Sequence, residues 1–390
     1  MRRGFTRPSA HRCGHPGVDY PRDGTAGARP GSQVTRCALA AVAGHGVTGF
    51  RKRGVSPGAE SIMAASLLCA LRERFDEATA LEGLRRLSGG ASQETWSFDL
   101  LTPGGDQPLI LRRTPPGADA RTTDTAGVEV EAALMERAAA AGVPVPAVRM
   151  VLEPRHGLGQ GFVMTRIPGE TLGARIVRAP APEGARQGLA RQCGAALAAL
   201  HRVPAVGLPP LRPGTPAAEL AHFERIHRSH GTVRPVFEFA LRWLGRTVPA
   251  DPPVPCLVHG DFRNGNLVVG AGGLAAVLDW ELAHLGDPME DLGWLCVNSW
   301  RFGCSELPVG GFGMREDLFE GYTAAGGCVD PERVHWWEVM GTLKWGIMCE
   351  TMVHSYLAGT ERNPEFAAIG RRASETEIDL LRLLVPRPRL

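Results

Sequence analysis

The chain has 390 residues, more than one ordinary domain needs and enough for two lobes with a cleft between them. Hydrophobic residues make up 44% and charged residues 22%, and the net charge of +2 excludes a bulk electrostatic pull toward nucleic acid or an acidic membrane surface. Nine cysteines, an odd number without a CxxC pair, argue against a disulfide framework or zinc site and for a reducing cytoplasm, and no run of about 18 apolar residues marks a membrane span.

Residues 1–62 are unlike the rest of the chain. They hold ten Lys/Arg against three Asp/Glu, a net of +7 that leaves −5 for the remainder. They are rich in Gly, Arg, Pro and Ser, and their one apolar stretch, ALAAVAGHGV (38–47), is short. Such a segment buries too little apolar surface to offset its ordering entropy. Two readings stand. One is an Arg-rich, acid-poor transit peptide, whose amphipathic helix the glycines and prolines would spoil. The other is a disordered extension or mis-assigned start, with Met63 as the natural one. Composition favours the second.

From Met63 the patterns become regular. LLCALRERF (67–75) has helical spacing. LRRLSGGASQETWSFDLLT (84–102) reads as strand, glycine-bearing turn and strand, and LILRR (109–113) as a third strand after a turn at Gly104-Gly105. VEVEAALMERAAAAG (128–142) is helical and stops at Gly142. PVPAVRMVLEP (144–154) and GFVMTRIPGE (161–170) read as two more strands. These form a small β-rich lobe over 63–168 with one inserted helix. Past a join near 166–172, segments 185–203, 217–230, 233–248, 331–357 and 373–385 predict a larger, mainly helical lobe over 169–390. The fold class is α+β.

Chemistry concentrates in CLVHGDFRNGNLVVGAGGLAAVLDWELAHLGDPMEDLGWL (256–295). His259-Gly260-Asp261 is followed by Asn266 and then by Asp279-Trp280-Glu281. Phosphoryl transfer needs these side-chain types: one carboxylate to orient a hydroxyl and take its proton, and an Asn oxygen with a second carboxylate to hold magnesium. NLVVG (266–270) and LAAVLDW (274–280) read as a hairpin that brings Asn266 and Asp279 to one edge.

HGDFRNGN followed by LDWE resembles the aminoglycoside phosphotransferase / choline kinase-like family, distant cousins of the protein kinases. LDWELAHLGDPMEDLGWL is similar to the branch that includes bacterial phosphotransferase-family proteins and the kinase domains associated with acyl-CoA dehydrogenases. The resemblance runs over roughly residues 80–385. It implies a two-lobed protein-kinase-like fold, ATP and Mg2+ as cofactors, and a hydroxylated small molecule as acceptor, with no nucleic-acid or membrane partner. It implies Asp261 as catalytic base and Asn266 and Asp279 as magnesium ligands. His259 reads as a brace of the loop ahead of a proton acceptor. Arg263 reads as a phosphate contact or a brace, and Glu281 as a partner of the metal site ahead of a metal ligand. Asp287 reads as a turn residue and Asp291 as a helix-start carboxylate.

The small lobe supplies the nucleotide side. In SGGASQET (88–95), Gly89 and Gly90 let the backbone approach phosphates and Ser92 can donate to them. Arg112 stands where kinases of this type often carry a phosphate-binding Lys. Arg113 is its rival, because strand alternation sends the two to opposite faces. Glu131 is the expected partner of Arg112, with Glu129 and Glu136 as alternatives. Met164, Thr165 and Ile167 resemble the segment that holds adenine between the lobes. Trp294, Trp300, Trp336, Trp337 and Trp345 read as core, and some of them as acceptor-pocket walls.

Three readings of the acceptor side stand. A hydroxyacyl-CoA or related metabolite fits the branch resemblance. A polycationic antibiotic would need clustered carboxylates, for which 331–357 offers Glu332, Glu338 and Glu350 among Arg333 and Lys344. A nucleotide-binding scaffold is disfavoured by the joint presence of Asp261, Asn266 and Asp279.

Overall fold

The computed structural model describes residues 57–89, 93–117, 125–178 and 188–385. Helix α1 (Pro57–Arg72) packs against a five-stranded antiparallel sheet of β1 (Ala80–Gly89), β2 (Glu94–Leu101), β3 (Gln107–Thr114), β4 (Val148–Val151) and β5 (Gln160–Thr165), in the order β1-β2-β3-β5-β4. Helix α2 (Val128–Ala140) is inserted between β3 and β4.

Alternation decides what each face of the sheet meets. Trp96, Phe98, Leu100, Leu109, Leu111 and Val163 form one buried cluster with Met63, Leu67 and Leu71 of α1. Ile110, Phe162 and Met164 point the other way and join the core of the second lobe. Met63, the expected start of the small lobe, lies within α1. Proline suits a first helical turn, where its missing N–H leaves no bond unmade. Met63, Leu67, Ala70 and Leu71 recur at helical spacing, and all are buried. The two later strands are shorter than expected. Pro144 and Pro146 offer no N–H to a ladder before β4, and Pro168 with Gly169 comes after β5.

The second lobe is built from α3 (Gly173–Arg178), α4 (Leu189–His201), α5 (Pro216–His230) and α6 (Pro235–Arg246), with a two-residue strand, β6 (Pro213–Gly214), ahead of α5. The motif region comes next, as β7 (Cys256–Val258), β8 (Leu267–Gly270), β9 (Gly273–Val277), β10 (His284–Gly286) and α7 (Met289–Cys296). Helices α8 (Arg315–Ala324), α9 (Pro331–Leu357), α10 (Pro364–Gly370) and α11 (Ala373–Leu384) complete it. The expected hairpin is present, since β8 pairs antiparallel with β9. No helix among the described residues is long and apolar enough to cross a membrane.

Helices α4 and α8 cross with their backbones nearly touching. A Cβ on Gly194 would lie 2.1 Å from the Leu318 carbonyl oxygen, and one on Gly321 would lie 2.0 Å from that of Arg191. Helices α5 and α9 are joined by a buried ionic cluster around Glu350, which is 1% exposed. Its carboxylate meets His227 Nδ1 at 2.9 Å and Arg234 Nε at 2.5 Å. Burial opposes the charge on Glu350, but His227, His230 and Arg234 outweigh it and hold the carboxyl at about 2. The bond to Glu350 raises His227 above its ordinary 6.5.

The signs are separate. The Glu350 contribution is present above about pH 4.5, its unfolded value, and is lost as pH falls toward 2. The His227 contribution is full below 6.5 and is lost as pH rises through its folded value. Glu350→Gln is expected to destabilise the chain by about 3 kcal/mol, because it strands buried cations. Urea unfolding should show the loss to be larger at pH 6 than at pH 9. A pH-independent loss would contradict the charged His227–Glu350 pair.

Candidate active site

The loop that carries Asp261 leaves β7 at His259 and turns at Gly260, whose φ is +77°. A Cβ at Gly260 would sit 2.4 Å from the Leu282 carbonyl oxygen, so both the turn and the close approach require glycine. His259 is fully buried. Its Nδ1 accepts from the Asp261 N–H at 3.2 Å, which puts the ring proton on Nε2, facing the Leu278 carbonyl at 3.1 Å. Burial pushes the ring below its ordinary value and keeps it neutral. Both ring nitrogens of His259 are thus engaged by the backbone around the loop.

Asp291 fixes the same loop from α7. It accepts from the His259 N–H at 2.8 Å and the Gly260 N–H at 3.0 Å, and meets His201 Nε2 of α4 at 3.1 Å. Burial works against its charge, but His201, His259 and the backbone donor outweigh it and hold the carboxyl below its ordinary range. Its position near a helix start therefore matters less than these contacts across the lobe. Asp287 is a turn residue as expected. It accepts from the Met289 N–H at 3.0 Å, Arg333 Nε at 2.5 Å and Trp337 Nε1 at 2.7 Å.

Asp261 is 3% exposed. Its Oδ1 accepts from Arg263 Nε at 3.0 Å and Trp294 Nε1 at 2.8 Å, and its Oδ2 from Asn266 Nδ2 at 2.6 Å. Arg263 is buried, with its guanidinium 4.7 Å from the Trp300 ring centre. Of its two expected roles, the brace is the one these contacts describe. Asn266 opens β8, and its carbonyl accepts from the Leu278 N–H at 2.8 Å, which ties it across the hairpin to the residue before Asp279. Asp279 has φ +68°, a left-handed conformation that Asp tolerates better than most side chains.

The β3 register sets the two arginines on opposite faces of the sheet. Arg112 lies opposite Phe162, on the face of Ile110 and Met164. Its guanidinium meets Glu131 at 3.0 Å, Asp279 at 2.7 Å and Glu281 at 3.5 Å. Arg113 faces the other way and pairs with Glu94 at 2.9 Å. Glu131 is thus the partner of Arg112 on α2, and Glu129 and Glu136 make none of these contacts. Burial opposes the charge on Arg112, but Glu131, Asp279 and Glu281 outweigh it and raise the group above its ordinary value. For Glu131 burial wins: it pushes the carboxyl up to about 7, with Asp279 acting in the same direction against Arg112. Three carboxylates share one guanidinium, a formal −2 when all are ionised.

The remaining expected nucleotide contacts divide. Gly89 ends β1 opposite Glu94, while Gly90 and Ser92 lie outside the described residues. Met164 is buried on the face it shares with Ile110 and Phe162, and Ile167 is half-buried just past β5. Thr165 donates its N–H to the Ala147 carbonyl at 3.0 Å and accepts the Ala147 N–H on Oγ1 at 2.9 Å. Its amide and hydroxyl are therefore engaged within the lobe. The segment beyond is stitched to β8 by paired bonds between Glu170 and Val269, each 2.9 Å.

Two carboxylates considered for a polycation are closed off. Glu338 is held by Arg301 at 3.0 Å and Arg315 at 2.5 Å, and Glu350 by the cluster between α5 and α9. The sequence offered no reason to single out Trp294 or His201. Both act through contacts between distant segments.

Residues 83–337 match the phosphotransferase enzyme family. Among curated proteins, the chain is 29% identical over 226 residues to acyl-CoA dehydrogenase family member 10 of Mus musculus, covering 55% of this chain and 20% of that protein. It is 28% identical over 220 residues to acyl-CoA dehydrogenase family member 11 of Gallus gallus, covering 54% and 27%. The chain thus spans only about a quarter of these relatives' length.

Among solved structures, a choline/ethanolamine kinase family protein from Mesorhizobium loti superimposes with TM-score 0.55 at 21% identity, covering 83% of this chain and 95% of that one. A thermostable mutant of aminoglycoside phosphotransferase APH(4)-Ia, in complex with ADP and hygromycin B, superimposes with TM-score 0.53 at 19% identity, covering 83% and 100%. At these identities the likeness is one of fold, and the fold is the expected two-lobed kinase-like one.

Proposed function

The chain belongs to the phosphotransferase enzyme family, and from that premise we propose that it transfers the γ-phosphate of ATP to a hydroxyl of a small molecule, with magnesium. The observation that carries this reading is the convergence of Arg112 from the small lobe and Asp279 from the large one, beside a loop that presents Asp261.

The residues fit magnesium. The donors are oxygens, and the excess of carboxylate over guanidinium is what a hard divalent cation neutralises. Asn266 and Asp279 would hold it, and it would supply charge neutralisation to the nucleotide phosphates. Arg112 binds phosphate oxygens once nucleotide draws it from Asp279, and Glu131 keeps it aimed. Met164 and Ile167 flank the adenine. Asp261 orients the acceptor hydroxyl and takes its proton, while Arg263, Asn266 and Trp294 fix its carboxylate. His259 and Asp291 hold the loop rigid and move no proton.

For the acceptor we put a hydroxyacyl-CoA or related metabolite first. Support comes from LDWELAHLGDPMEDLGWL and from relatives named as acyl-CoA dehydrogenase family members, matched over only part of their length. The burial and pairing of Glu338 and Glu350 weigh against a polycation. The cytoplasm is the proposed location.

The test is ADP release from MgATP by the full chain, with hydroxyacyl-CoAs, choline, simple sugars and aminoglycosides in separate wells beside Asp261→Ala. Turnover with one acceptor class, absent in the variant, is expected. ATP binding without turnover on any acceptor would replace the enzyme with a nucleotide-binding scaffold.

A further inference from the structure

The donors around Asp261 are distributed unevenly. A carboxylate has two acceptor positions on each oxygen. Oδ1 has both filled, by Arg263 Nε and Trp294 Nε1, whereas among the described residues Oδ2 takes only Asn266 Nδ2. One position remains, and it lies on Oδ2.

We propose that Trp294 is a positioning residue for phosphoryl transfer: its indole N–H, with Arg263, anchors Oδ1 so that Oδ2 is the oxygen that meets the acceptor. The inference rests on the reading of Asp261 as base. In the step, the acceptor O–H proton passes to Oδ2 and the acceptor oxygen bonds to the γ-phosphorus. The bond from that phosphorus to the β–γ bridging oxygen breaks, and ADP leaves with its electron pair.

The surroundings of Trp294 are built to keep the indole still. It sits on α7 with the tilted Trp300 ring 5.1 Å away, and the Trp345 ring, tilted in turn, lies 5.0 Å beyond Trp300. Lys344 of α9 places Nζ 4.8 Å from the Trp294 ring centre. That cation is itself fixed: Lys344 lies 3.8 Å from Glu290, which meets His284 Nε2 at 3.1 Å. The cavity beside it, lined by Glu219, Glu290, Trp294, Trp337, Met340 and Lys344, holds about 10 Å³. That is room for about one water, so the indole has nowhere to swing. A purely space-filling side chain here would need no N–H, yet this one makes a charge-assisted bond to the base.

The experiment replaces Trp294 in the full chain with β-(3-benzothienyl)alanine, which keeps the shape and removes the N–H, beside Trp294→Phe. ADP release from MgATP should fall by about 10²-fold in kcat, with KM for ATP within about twofold and the melting temperature of the isosteric variant unchanged. An unchanged kcat in the isosteric variant overturns the proposal. So does a raised KM at constant kcat, which would make the indole a binding wall.

A second readout needs no turnover. In chain labelled with 15N-tryptophan, the indole resonance lost in Trp294→Phe should be downfield and exchange-protected, and should move in Asp261→Ala. A resonance indifferent to Asp261→Ala overturns the contact. Should the parent chain release no ADP at all, the phosphotransferase reading fails, and the resonance still decides the contact.

Discussion

Asp261→Ala lowers kcat by about 10³-fold and leaves MgATP affinity within about threefold of the parent. The magnitude is what loss of the proposed general base, which would also align the nucleophile, implies. The selectivity comes from location: Asp261 contacts Arg263, Asn266 and Trp294, while the Arg112 cluster lies across Asp279 on other side chains. Titration calorimetry with a non-hydrolysable nucleotide gives the affinity, and ADP release gives kcat. Because removal of the carboxylate withdraws an acceptor from three buried donors, Arg263, Asn266 and Trp294, the melting temperature is measured on the same sample. Full activity in a folded variant would remove Asp261 from the chemistry.

Asp279→Asn is expected to abolish magnesium-dependent nucleotide affinity, weakening MgATP by roughly 10²-fold while leaving the small metal-free component in place. Asparagine is the informative choice. Position 279 has φ +68°, where alanine adds backbone strain of about 1 kcal/mol and asparagine little. The substitution also releases Arg112 from a 2.7 Å ion pair, so metal-free ATP should bind no worse than to the parent. Calorimetry with and without EDTA separates the two components. Equal weakening in both would mean that Asp279 acts through Arg112 and holds no metal.

Much of the candidate site is legible in the sequence because its residues are local there. Asp261, Asn266 and Asp279 sit on one loop and one hairpin, so residue type and spacing single them out as candidates before any tertiary contact is known. The choice between Arg112 and Arg113 needed the β3–β5 register, because alternation says only that the two diverge. Asp291 could be read as favouring a helix dipole, and only the packing of α7 against the loop reveals two backbone donors and His201 on its oxygens. Trp294 could not be told from four other tryptophans, because its N–H partner lies 33 residues away. Glu338 and Glu350 looked available for a cationic ligand, and their arginine and histidine partners come from segments that periodicity cannot connect.

The α4–α8 crossing bears on what a substitution far from the nucleotide can do. Gly194 lies two turns before His201 on α4, and Gly321 adjoins Tyr322 on α8. His201 Nδ1 lies 2.9 Å from the Tyr322 hydroxyl, and its Nε2 meets Asp291, which carries the loop of Asp261. A single methyl at either glycine would push the helices apart and slide this relay off its seat. The alignment of Asp261 is therefore written partly in missing side chains, at places where no charge or nucleophile draws the eye.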